Sequence, residues 1–197
     1  MKHISNTTIL IPILDRPIKY LVLHRTRTGI GQWALRMQIT LLCMKEYPDY
    51  NNKTHDFRHK NPYNSSIEYN KTHSIEKNPL CLLPNNTIHH DKRGGISQDI
   101  YMKLVQSVSF VLCIQGGGLD PSPKAWESLM LGTIPIIQHS TLDDAYKQFP
   151  VIFVKNWLEL FIEEKEVVRH RLEVLRQKLA PYYINPLLRA EVVEVRD

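Results

Sequence analysis

Gln115-Gly116-Gly117-Gly118-Leu119-Asp120 runs toward Lys124 and Glu127, and this stretch holds residue types that could bind a phosphorylated ligand. Three glycines in a row let the backbone pass close to a ligand, and their N–H groups, with the start of a following helix, favour an anion such as phosphate. Such a turn also serves packing. Lys124 lies three positions before Glu127, so a helix puts both on one face, the lysine to meet a phosphate and the carboxylate to accept hydroxyl hydrogen bonds from a ribose or sugar diol. Each has a plainer use: Lys124 as a solvated charge, Glu127 as compensation for the helix dipole on the first turn. Arg25 and Arg27, in the turn Arg25-Thr-Arg-Thr-Gly-Ile-Gly31, suit a bidentate clamp on a pyrophosphate and equally suit a surface turn of a basic protein.

Other groups carry less chemistry. His55 and His59 are at i, i+4 and His73, His89 and His90 follow, but all fall in a compositionally biased tract without a helical pattern, so no metal site is expected. Asp143 and Asp144 are accounted for by helix capping. Cys43, Cys81 and Cys113 are an odd number with no CxxC spacing, two of them inside apolar runs, and read as buried thiols rather than a disulfide or a metal site. The net charge of +5 comes from scattered residues with no Lys/Arg block interleaved with aromatics, which argues against nucleic acid and suits a pocket for a phosphorylated small molecule.

The elements that must position these residues follow from short apolar runs and caps. Tyr20-Leu-Val-Leu-His24 reads as a strand buried on both faces, and Trp33, Met37, Leu41 and Met44 predict a helix after it. Leu80-Cys-Leu-Leu83 is a short candidate strand. Ser97 caps a helix carrying Ile100, Tyr101, Leu104 and Val108, and Phe110-Val-Leu-Cys-Ile114 is a second buried strand leading into the glycines. Ser122, Pro123 and Gly132 bracket the helix that bears Lys124 and Glu127. Thr133-Ile-Pro-Ile-Ile137 is a strand whose Pro135 should stand at a strand start or an edge. A short helix before Pro150, the strand Val151-Ile-Phe-Val154 and a long amphipathic helix from Trp157 onward complete the pattern. Alternating strands and helices predict an α/β, doubly wound, parallel Rossmann-like sheet, whose ligands bind at the carboxyl ends of the strands.

The 197 residues suffice for one core. Residues 1–18 read as a leader or linker, 19–180 as the Rossmann-like domain with an Asn-rich insertion at about 50–92, and 181–197 as a tail. Asn6, Asn52, Asn64, Asn70 and Asn85 begin Asn-x-Ser/Thr sequons, which a tract rich in these residues makes by chance. The sequence has neither the features of a signal peptide at its start nor an apolar run long enough for a membrane span.

From Tyr101 to Trp157, the ordered set Tyr-x-x-Leu, Ser109-Phe-Val-Leu, Gly-Gly-Gly-Leu-Asp, Lys-x-Trp-Glu, Leu-Gly-Thr-Ile-Pro-Ile-Ile, Leu-Asp-x-Ala-Tyr and Phe-Pro-Val resembles the donor-binding half of exostosin-like glycosyltransferases. The resemblance implies one half of a GT-B architecture, in which two Rossmann-like domains face a cleft and the C-terminal one holds a nucleotide-sugar, commonly a UDP-sugar, without a bound metal. It implies that Glu127 approaches the donor ribose, that Lys124, where many members have Arg, approaches the phosphates as a point charge, and that Gly116 to Gly118 lie beside the diphosphate. Asp120 closes the loop or contacts the sugar; no residue is assigned as the general base. The partners implied are a glycan or glycoprotein acceptor and an N-terminal GT-B domain or partner chain for the acceptor side, in the Golgi or secretory lumen if the chain follows eukaryotic relatives. A binding or interaction module that kept the scaffold and lost transfer is the alternative.

Overall fold

The computed structural model describes residues 11–23, 30–46, 79–83, 97–116, 123–184 and 193–194. Its strands β1 (Tyr20–Leu21), β2 (Cys81–Leu82), β3 (Phe110–Leu112), β4 (Ile134–Gln138), β5 (Ile152–Val154) and β6 (Val193–Glu194) form one sheet. Every neighbouring pair is parallel, in the order β2-β1-β3-β4-β5-β6. From β1 the chain steps one way to β2 and then returns past β1 to β3, so the winding direction reverses between β1 and β3. This is the expected α/β Rossmann-like sheet.

Helices cover both faces. On one, α1 (Gln32–Met44) and α5 (Lys165–Ile184) bring Ile39, Val168, Leu172 and Leu179 against Phe110, Leu112, Ile134 and Ile136. On the other, α2 (Gln98–Gln106), α3 (Pro123–Met130) and α4 (Asp143–Tyr146) bring Val105, Ala125 and Tyr146 against Val111, Cys113, Ile137 and Phe153. Alternate strand residues point to opposite faces, and both faces are apolar here, which is why the strands read as unbroken apolar runs. The helix ends follow their caps. Ser97 Oγ accepts the Ile100 N–H at 3.4 Å. Gly132 takes φ +69°, a left-handed conformation suited to glycine, and Thr133 N–H then closes back on the Ser128 carbonyl at 2.9 Å.

Several expectations are corrected. The helix α1 buries Arg36, Ile39, Thr40 and Cys43, while Met37, Leu41 and Met44 are only half-buried. Its inward face is rotated from the apolar stripe because the buried arginine and threonine have polar partners: Arg36 bonds carbonyls beyond β3, and Thr40 Oγ1 donates to the Arg36 carbonyl at 2.9 Å. Cys43 and Cys81 are joined in a disulfide, with Cα atoms 5.5 Å apart. The two apolar runs that suggested buried thiols are neighbours in space. Only Cys113 remains a buried thiol. The bond ties the end of α1 to the edge strand β2, and the Glu46 carboxylate accepts the N–H groups of Leu80 and Cys81 at 2.7 and 3.1 Å beside it.

Pro135 lies neither at an edge nor first in its strand; it is the second residue of β4, between β3 and β5. The register pairs Ile136 with Ile152, so an N–H at position 135 would have met the Pro150 carbonyl. That carbonyl instead accepts the Tyr183 hydroxyl at 2.9 Å, and no backbone donor is needed. The helix expected from Trp157 is two elements. A 3-10 turn at Trp157–Leu160 is opened by a capping box in which Asn156 and Glu159 exchange side-chain-to-backbone bonds, and α5 begins only at Lys165.

Residues 11–19, just before β1, are built into the fold. Ile13 is buried, and the Arg16 guanidinium, 3% exposed, donates to the Ile11 carbonyl, the Thr133 hydroxyl and the Leu131 carbonyl. Arg176 of α5 donates in turn to the Arg16 carbonyl at 2.6 Å. Burial lowers the Arg16 pKa, opposed by nearby Tyr183. At the other end, residues 181–184 complete α5 and Val193–Glu194 add β6 to β5, so the expected tail contributes a strand.

Candidate functional site

The reversal between β1 and β3 makes the carboxyl ends of these strands the topological switch point, the usual ligand position in such sheets. Two cations cross there. Arg36, on the helix after β1, reaches the end of β3, where Nε donates to the Gln115 carbonyl at 2.9 Å and Nη2 to the Ile114 carbonyl at 3.3 Å. Lys124, on the helix after β3, reaches the end of β1, where Nζ donates to the Leu23 carbonyl at 2.5 Å. Each βα unit thereby caps the strand of the other. These carbonyls lie beyond the last paired residues of β1 and β3, and a cation satisfies them better than a neutral donor does.

Burial governs the electrostatics. It lowers the pKa of Arg36. It brings the Lys124 ammonium down to about 8, with Arg36 pushing the same way and Cys113 and Glu127 opposing. Lys124 is therefore mostly protonated at neutral pH, yet a moderate rise in pH neutralises it. Gly116 passes directly over the arginine: a Cβ there would stand 3.2 Å from Arg36 Nη2, tight enough to require the guanidinium to give.

Glu127 is the fifth residue of α3, beyond the first turn. Dipole compensation, which fades after that turn, therefore explains its position poorly. Its Oε2 accepts the Tyr101 hydroxyl of α2 at 2.6 Å. Burial raises the Tyr101 pKa, and the hydrogen bond to Glu127 and the charge of that carboxylate add to the shift, so the phenol is a donor throughout the accessible pH range. The helix bearing Lys124 and Glu127 is held by Trp126, which stacks on Tyr146 at 4.7 Å and meets Phe149 edge-on at 5.2 Å. Such aromatic pairs add roughly 0.5–1.5 kcal/mol each beyond area burial.

Of the residues expected at the site, Gly116, Lys124 and Glu127 fall on this edge; Arg25, Arg27, Gly117, Gly118 and Asp120 lie outside the described residues. Sequence reading missed two contributors. Arg36 was hidden by the apolar stripe on α1. Tyr101 was visible as one residue of an apolar-sided helix and as the first of the Tyr-x-x-Leu piece, but not as a partner of Glu127, since a bond between residues 26 apart leaves no local pattern. A third polar group stands at the end of β4, where His139 stacks on Phe153 and its Nδ1 is 2.6 Å from Asp143 Oδ2. Asp143 Oδ1 also accepts the Ser140 N–H at 2.7 Å, but α4 starts after Leu142 without a side-chain cap, so the capping expected of Asp143 and Asp144 is not what is seen. The histidines weighed as metal ligands, at 55, 59, 73, 89 and 90, lie outside the described residues.

Among the described residues, no group of three or more His, Cys, Asp or Glu side chains is arranged to hold a metal ion, and no helix is long and apolar enough to cross a membrane. No family model, curated protein or solved structure matches the chain.

Proposed function

We propose that this chain supplies the nucleotide-sugar-binding half of a glycosyltransferase of the exostosin-like type, with a UDP-sugar as donor substrate and a glycan or glycoprotein as acceptor. The observation that carries the reading is the crossing of Arg36 and Lys124 at the β1/β3 switch point, with the Glu127 carboxylate one helical turn from the lysine. A nucleoside diphosphate presents the complementary sequence of groups: two phosphates for the cations, then a ribose diol for the carboxylate.

In transfer, the bond between the anomeric carbon and the diphosphate oxygen breaks and a bond to an acceptor oxygen forms. The departing UDP keeps the electron pair, and the acceptor hydroxyl loses its proton to a base. Lys124 and Arg36 would stabilise charge developing on the leaving group, because fixed cations in a partly dehydrated site need little reorganisation at that moment. The acceptor side and its base would come from an N-terminal GT-B domain or a partner chain.

Calorimetric titration with UDP tests the reading. Binding is expected, weakened at least tenfold in Lys124→Ala and in Glu127→Ala. No binding at millimolar UDP, or affinity unchanged in both variants, sinks it. Incubation with UDP-sugars then separates an enzyme from a module that only binds: release or transfer of sugar supports the first, and binding without turnover in the presence of an acceptor-domain partner supports the second.

A further inference from the structure

The Tyr101–Glu127 bond has two readings. It could staple α2 to α3 and do nothing else, or it could set the direction of the carboxylate. The chemistry favours the second. A carboxylate offers two oxygens with about four acceptor sites, and Tyr101 occupies Oε2 with a short bond from a half-buried phenol. An unheld glutamate on a helix surface samples many rotamers, and a ligand that used it would bear the entropy of fixing it. Here that ordering is done before the ligand arrives, by a bond to one oxygen that leaves the other available. Lys124, three residues earlier on α3, reaches the end of β1, and its Cα precedes that of Glu127 by about 4.5 Å along the helix axis, so cation and carboxylate leave the same face of α3 one turn apart, in the order in which one nucleotide presents phosphate and ribose diol.

We propose that Tyr101 is a positioning residue for ligand selection: by holding Oε2 of Glu127, it presents Oε1 to the vicinal diol, so that the site takes a ribonucleoside diphosphate in preference to its 2′-deoxy counterpart. The inference rests on the donor-site reading above and adds a residue and a selectivity to it. A 2′-deoxy ligand leaves part of the oriented carboxylate without its donor, and hydrogen bonds to charged groups are the ones whose loss is most felt. Tyr101 touches neither phosphate nor sugar; its effect passes entirely through Glu127.

The test uses the full chain and three ligands, UDP, 2′-deoxy-UDP and inorganic pyrophosphate, titrated by calorimetry. The wild type is expected to prefer UDP over 2′-deoxy-UDP about tenfold or more. Tyr101→Phe, which keeps the ring, should bring that preference to about threefold or less while pyrophosphate affinity stays within about twofold. Glu127→Gln provides a second variant, in which the side-chain amide oxygen can still accept from Tyr101; the preference should fall there also. A purely structural staple would weaken all three ligands together or none of them, so a preserved UDP preference in Tyr101→Phe, or in Glu127→Gln should the first variant not fold, overturns the proposal. If the wild type binds UDP without preference, this proposal fails and the donor site stands. If it binds neither UDP nor pyrophosphate, the donor site itself fails.

Discussion

Lys124 offers the sharpest test of the site, because its function and its cost to stability have the same origin. Its ammonium is dehydrated against the end of β1, and its pKa falls from 10.5 to about 8. A shift of this size corresponds to about 3 kcal/mol of penalty on the charged form. The sign is fixed by linkage. Between pH 8 and 10.5 the unfolded chain holds a proton on this residue that the folded chain has lost, so stability rises with pH across that window. Below pH 8 both states are protonated and the folded protein bears the whole penalty. Replacing Lys124 with Met removes the titration along with the bond to Leu23, so the pH dependence of the difference between the two proteins isolates the titration. In thermal melts from pH 7.5 to 10, the wild type should gain most of that 3 kcal/mol relative to Lys124→Met, or about 6–12 °C in Tm for a chain of this length. A bound diphosphate restores the charge, so UDP binding at pH 9 should take up close to one proton, read from the apparent enthalpy in two buffers of different protonation enthalpy. A flat difference curve between pH 7.5 and 10, or UDP binding with no proton uptake at pH 9, would refute the placement of Lys124 as a dehydrated anion-binding cation.

Other consequences are simpler to read. The disulfide closes a sequence separation of 38, for which loop-closure entropy gives about 4 kcal/mol, so reduction should lower Tm by about 8–16 °C. Thiol titration of denatured, unreduced protein should find one thiol per chain, Cys113, and three after reduction; three without reductant would refute the bond. Thr133→Val strands Arg16 Nη1 and the Val105 carbonyl, its partners in the wild type, and should cost about 3 kcal/mol in urea unfolding. Pro135→Ala should change stability by less than about 1 kcal/mol, because Tyr183 already serves the carbonyl that a new N–H would face.

How much of this was legible depends on whether a feature is local. The strands β3, β4 and β5 and the helices α2 and α3 announce themselves, since unbroken apolar runs require burial on both faces and Ser97 and Gly132 mark ends within a few residues. Lys124 and Glu127 were readable as a pair because helical spacing alone puts them on one face. Arg36 was not, because a buried guanidinium looks like a surface residue until the carbonyls of Ile114 and Gln115 are brought beneath it. Cys43 and Cys81 failed for a related reason: an apolar setting suits a thiol and a disulfide alike, and only the parallel pairing of β1 with β2 brings them together. The break before α5 was missed because Trp157 and Leu160 fit a helical stripe; the Asn156–Glu159 exchange marks the start of that first turn, and the chain leaves helical geometry only after it, at Phe161.

The Cys43–Cys81 bond also governs how the chain tolerates change. An uncrosslinked loop adds to the cost of folding roughly as 1.5RT ln n, so doubling the separation of 38 between these cysteines would cost about 0.6 kcal/mol. Once the bond is in place the ends are joined before folding as well as after it, and the term cancels. The fold is then indifferent to the length of whatever lies between α1 and β2. By this term, a change in the number of residues enclosed between the two cysteines leaves the stability of the sheet unaltered. The covalent bond acts here as insulation, separating the stability of the sheet from the length of chain that the bond encloses.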